Sequence, residues 1–130
     1  MSHHLAAAVA RLERGQDPGH TNEVVHLSER FDRKTEDVVW IKSLGADKDW
    51  VIVSGDLRIS RNRAEREAWR ESGLTAFFLK NAWADQKLWP FAARFIAWWP
   101  RITAQAAMAQ KGKGFMVPFN GTRFEDVPVR

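Results

Sequence analysis

The sequence predicts an α/β fold with a mainly parallel sheet, and three observations carry that expectation. The run Trp50-Val51-Ile52-Val53-Ser54 is apolar on both alternations. A strand covered on both faces, as in a parallel sheet, reads this way. Leu74–Leu79 is a second such run, rich in Phe. Between Glu23 and Leu79, strand-like and helix-like patterns alternate, which is the signature of βαβ units.

Each element has a local reason. Leu5–Arg14 is Ala-rich and reads as a helix. Gly15–Thr21 mixes Gly, Asp and Pro and reads as a loop. Glu23–Leu27 is a short strand candidate, followed by a charged loop over Ser28–Lys34. Thr35 is placed to cap a helix over Glu36–Leu44, and Gly45 to end it. Val38, Ile41 and Leu44 share one face of that helix. After the strand Trp50–Ser54, Asn62 can cap a helix running to Ser72. Glu65 is placed to close a capping box there, and Gly73 stands at the stop.

Leu88–Met108 reads as one long helical region. Leu88, Phe91, Phe95, Trp99 and Ile102 recur at spacings of three and four, and Pro100 predicts a kink or restart. Lys111-Gly112-Lys113-Gly114 is a turn. Phe115–Phe119 and Thr122–Val127 read as a terminal hairpin about Asn120-Gly121. No repeat, low-complexity tract or linker interrupts the chain, so residues 1–130 are read as a single domain.

Composition narrows the function. Seven Trp and eight Phe with no Tyr allow many rings to be buried with few hydroxyls to satisfy. Twenty Lys and Arg against sixteen Asp and Glu give a net charge of +4, which favours a polyanionic partner. With no cysteine, disulfides, thiolate metal sites and cysteine nucleophiles are excluded. No segment reaches the ~20 apolar residues of a membrane span. Leu5–Ala10 lacks a secretory layout, so the expected compartment is the cytoplasm, with no membrane partner.

The chemistry concentrates after the strand Trp50–Ser54. In open α/β folds, sites form beyond the carboxyl ends of the strands. Gly55-Asp56 delivers a carboxylate at such an end, and Arg58, Arg61, Asn62, Arg63 and Arg66 follow. An acid beside arginines suits a hard cation and a phosphate ester. Asp56 reads equally as a turn aspartate capping nearby amides. Asp37, in the first turn of its helix, is a ligand candidate or a partner of the helix dipole. Glu65 fits the capping box with Asn62 better than a ligand role, though it can reach a metal through water. Arg58, Arg61 and Arg66 can grip phosphate, or form a solvated face paired with Glu65, Glu67 and Glu71. His3, His4, His20 and His26 show no metal-ligand spacing. The Trp/Phe face of Leu88–Ile102 reads as core before it reads as a base-stacking platform, and as a partner surface where exposed.

Several blocks, in order along the chain, carry a family resemblance. They are Glu23-Val24-Val25-His26-Leu27, Arg30-Phe31, Thr35–Ile41, Val51–Ile59, Arg61–Arg66, Gly73–Leu79 and Trp98-Trp99-Pro100-Arg101-Ile102. Together they resemble the PIN-like domains grouped with VapC-type toxins. The resemblance implies a three-layer α/β/α sandwich with a mainly parallel sheet. It also implies a metal-dependent ribonuclease of the toxin type, often paired with an antitoxin protein. On this basis Asp37 and Asp56 are the expected catalytic residues. Asp37, Asp56 and Glu65 are the expected ligands of Mg²⁺ or Mn²⁺, and Arg58, Arg61, Asn62 and Arg66 are the expected contacts to RNA. One departure stands out. Relatives begin with an apolar strand ending in an Asp-containing turn, and Ser2-His3-His4-Leu5 already matches the end of that turn. The first strand and its aspartate are therefore expected to be missing, so the domain is N-terminally truncated relative to the family. The alternative function is a catalytically impaired remnant that binds RNA or protein. A homodimer covering exposed sheet edges is also expected.

Overall fold

The computed structural model describes residues 2–15, 23–47 and 50–127, leaving aside the side chains of His3 and Arg58. Most of the loop expected over Gly15–Thr21 therefore lies outside the described residues. The chain divides into two compact units, Met1–Thr35 and Glu36–Arg130. Among the described residues it forms five α-helices and one four-stranded, mostly parallel sheet.

In the first unit, α1 spans His3–Arg14. The Ser2 hydroxyl accepts the His4 N–H at 3.1 Å and caps the helix, while Arg11 and Arg14 complement its C-terminal end. The strand expected at Glu23–Leu27 does not form: residues 23–26 have no regular structure, and Leu27–Glu29 is a 3₁₀ turn. A strand exists only through its ladder, and no described strand pairs with this segment, so β-propensity is overridden. His26 instead caps the turn, its Nδ1 accepting the Ser28 N–H at 3.2 Å.

The second unit holds the sheet. Helix α2 spans Asp37–Asp47, β1 Val51–Ser54, α3 Arg58–Arg61, α4 Arg63–Ser72 and β2 Thr75–Leu79. Helix α5 spans Leu88–Met108, β3 Gly114–Val117 and β4 Glu125–Asp126. The strand order is β1-β2-β3-β4. The first two pairings are parallel, with Ile52 beside Ala76 and Phe77 beside Phe115, and the last is antiparallel. Burial on both faces, expected of the Trp50–Ser54 run, belongs fully to β2, where every residue is buried. Strand β1 is outermost among the described strands, and Val51 is 40% exposed. The terminal pairing forms as expected, but it brackets a seven-residue loop, 118–124, rather than a tight turn at Asn120-Gly121.

Packing explains two further departures. Gly45 does not stop α2 but lies inside it. A Cβ at Gly45 would fall 2.7 Å from the Ser72 Cβ, so the glycine permits close approach to α4. Pro100 neither breaks nor restarts α5, which is continuous from Leu88 to Met108. The buried stripe Phe95, Trp98 and Ile102 holds it together across the missing backbone donor.

Trp69 organises the core on the α4 side. Its ring meets Phe78 edge-on at 5.3 Å, and its Nε1 donates to the Leu74 carbonyl at 2.6 Å. A Cβ on Gly114 would lie 2.7 Å from Trp69 Cζ2, so β3 needs glycine where this ring lands. On the opposite side chains of β2 and β3, Phe77 and Phe115 stack at 5.2 Å. Phe124 packs on both, and Trp98 of α5 packs on Phe124 at 5.1 Å. Trp83 is buried beside Phe91, Phe95 and Phe119, and its Nε1 donates to the Val117 carbonyl at 3.0 Å.

Candidate functional site at the carboxyl rim of the sheet

Strands β1, β2 and β3 are parallel, so their carboxyl ends share one rim. Helices α2 and α4 pack together, each directly preceding a strand, and they meet at Gly45 and Ser72 near their C-terminal ends. Their N-terminal ends therefore return to the carboxyl rim. Asp37 lies eight residues before Gly45 and Glu65 seven before Ser72, about 12 Å and 10 Å along their helix axes. Asp56 reaches the same rim from the end of β1.

The segment between β1 and α4 is tightly held. The Ser54 hydroxyl accepts the Asp56 N–H at 2.9 Å, which fixes the turn carrying the acid. Leu57, Ile59 and Ser60 are buried. The Ser60 hydroxyl donates back to the Leu57 carbonyl at 2.8 Å, and Arg66 Nη1 donates to the Ser60 carbonyl. The short helix α3, which no cap or spacing in the sequence announces, comes from this anchoring. Its one readable signal is the alternation of apolar Leu57 and Ile59 within a basic run.

The predicted site residues, the Arg58 side chain aside, each have a place. Asp37 is half-buried in the first turn of α2, and its Oδ1 accepts the Trp40 Nε1–H at 2.8 Å. Asp56 is half-buried in its turn. Asn62 is the N-cap of α4, its Oδ1 accepting the N–H groups of Ala64 and Glu65 at 3.1 and 3.2 Å. Gly73 closes the helix at φ +70°. Arg61 is exposed beside the cap, whereas Arg66 is buried at 8% exposure, with one donor committed to the Ser60 carbonyl. The Arg58 side chain lies outside the described residues. Arg63 pairs with Glu67 at 3.3 Å on the solvent face of α4.

Among the described residues, no three His, Cys, Asp or Glu side chains gather closely enough to hold a metal ion. Asp37, Asp56 and Glu65 thus share a rim without forming a three-carboxylate cluster. The donors at this rim are carboxylate oxygens. These suit Mg²⁺ or Mn²⁺, which keep several waters and take one or two protein carboxylates. No helix among the described residues is long and apolar enough to cross a membrane.

The fold is an open, mostly parallel α/β sheet with an acid and a basic segment beyond the carboxyl end of β1. The sequence profile of the PIN-like domain family matches residues 1–81, more than half of the chain. The chain belongs to the PIN-like domain family. The match ends just past β2, so the Trp98–Ile102 block and everything from α5 onward lie beyond it. No curated protein and no solved structure matches the chain.

Proposed function

We propose that the protein is a PIN-like, Mg²⁺- or Mn²⁺-dependent ribonuclease of the VapC toxin type. What supports this reading is the family match together with the element order, in which α2 precedes β1 and so directs Asp37 back toward the rim where the β1 turn carries Asp56. Asp37 and Asp56 hold the divalent ion, and Glu65 contributes through water. The bound ion supplies Lewis acidity toward the phosphodiester and a more acidic water. Ser54 fixes the turn that presents Asp56, and Trp40 fixes the rotamer of Asp37. Arg58 and Arg61 are the candidate contacts to the phosphate backbone, Asn62 sets the start of α4, and Arg66 braces the segment between β1 and α4 through Ser60. The layers form an α/β/α sandwich, and the protein acts in the cytoplasm under the control of an antitoxin protein. Divalent-dependent cleavage of RNA is expected, and Asp56→Asn is expected to abolish it. Full activity in that variant refutes the assignment.

The absence of a three-carboxylate cluster among the described residues favours a second reading, a catalytically impaired remnant that binds RNA or protein. Calorimetry with Mn²⁺ separates the two. Heat of binding that Asp37→Asn and Asp56→Asn each remove supports the nuclease, and no heat at millimolar metal supports the remnant.

A further inference from the structure

Helix α2 has an indole–carboxylate pair at each end. At its C-terminal end the Trp50 Nε1–H donates to Asp47 Oδ2 at 2.8 Å, in an exposed setting. At its N-terminal end the Trp40 Nε1–H donates to Asp37 Oδ1, also at 2.8 Å, but this indole is buried at 5% exposure. The two settings differ in what a lost bond costs. The Trp50 donor can turn to water. The Trp40 ring is enclosed, and a buried N–H that loses its acceptor is costly. The fold therefore holds Asp37 Oδ1 against the indole.

We infer that Trp40 is a positioning residue that sets which divalent ion the rim accepts, favouring Mg²⁺ over Ca²⁺. The inference rests on the reading in which Asp37 and Asp56 bind metal. With Oδ1 accepting the indole N–H, Asp37 has one oxygen to offer. Mg²⁺ needs no more from it, because it keeps several waters and takes one or two carboxylates in a strict octahedron. Ca²⁺ draws its affinity from about six to eight oxygens, often including both oxygens of one carboxylate. Binding through both oxygens of Asp37 would strip Trp40 of its acceptor. Among the described residues, no cluster of three His, Cys, Asp or Glu makes up the shortfall. Hydrogen bonds from outside the ligand set commonly orient metal-binding carboxylates. Here the donor comes from three positions along the same helix, where side chains share a face.

Calorimetry of the full chain with Mg²⁺ and with Ca²⁺ tests this, since Trp40→Phe keeps a ring in the core and removes the donor. The ratio of Mg²⁺ to Ca²⁺ affinity is expected to fall roughly tenfold in that variant, the worth of one hydrogen bond to a charged group. A purely structural role would weaken both ions alike, and equal losses overturn the inference. The wild-type chain gives a second readout that needs no substitution in the core, the indole N–H resonances of a ¹⁵N-labelled sample. Mg²⁺ should move the Trp40 signal. It should leave in place the signals of Trp50 and of Trp69, whose donor goes to the Leu74 carbonyl. Mg²⁺ binding that Asp56→Asn removes, with the Trp40 signal unmoved, refutes the role of Trp40 and leaves the metal site standing. No heat with either ion in the wild type refutes the metal site, and this inference with it.

Discussion

Helices α4 and α5 each send a tryptophan inward, yet they finish their outer sides differently. In α4, Trp69 and Ala68 are buried, while Arg63, Glu67, Arg70 and Glu71 stand in solvent. Its ends are closed by Asn62 and a left-handed Gly73. In α5, the inward stripe is followed on the far side by Trp89, Ile96 and Pro100, and neither end has a side-chain cap. The first is a completed surface helix, and the second leaves an apolar outer face exposed. The division coincides with the family match, which covers α4 and stops before α5.

The sharpest way to break this comparison is to swap the roles of two tryptophans. Trp69→Ala should cost about 3–5 kcal/mol, because its ring fills the space over Gly114 and Phe78. Trp89→Ala should leave the unfolding free energy, read by urea titration, within about 0.5 kcal/mol of wild type. Equal losses at both sites would mean that Trp89 is held by the fold. Next, Pro100→Ala should stabilise the chain by about 1–3 kcal/mol, since Pro100 interrupts the donor ladder of a continuous helix. An unchanged thermal midpoint would show that α5 has already absorbed that interruption. Asn62→Ala should cost about 1 kcal/mol through the lost cap, read by chemical denaturation. Arg63→Ala should be smallest, within about 0.5 kcal/mol, because its ion pair with Glu67 is exposed and screened by salt.

What the sequence made legible follows the same division between local and long-range causes. The α4 boundaries were readable because Asn62 and Gly73 act on their own neighbours. The β2 strand was readable because it is apolar on both alternations. Glu23–Leu27 was misleading because strand formation depends on a partner that no local pattern supplies. Gly45 looked like a stop signal, but its purpose, contact with Ser72, lies 27 positions away along the chain. At the rim, Asp56 could be placed from the strand ending at Ser54. That Asp37 returns to the same rim depends on how α2 lies against α4, which no spacing encodes. The burial of Arg66 was hidden for the same reason: its partner is the backbone of Ser60.

The contact at Gly45 leaves no room for a side chain. It sits at the foot of α2 and α4, and the acids ride at the far tips of both arms. Any wedge driven into the foot must splay the tips, and a shift of a few tenths of an ångström is magnified along about 10 Å of rigid rod. A side chain added at Gly45 is thus expected to be felt at the opposite end of the sheet, where the acids lie.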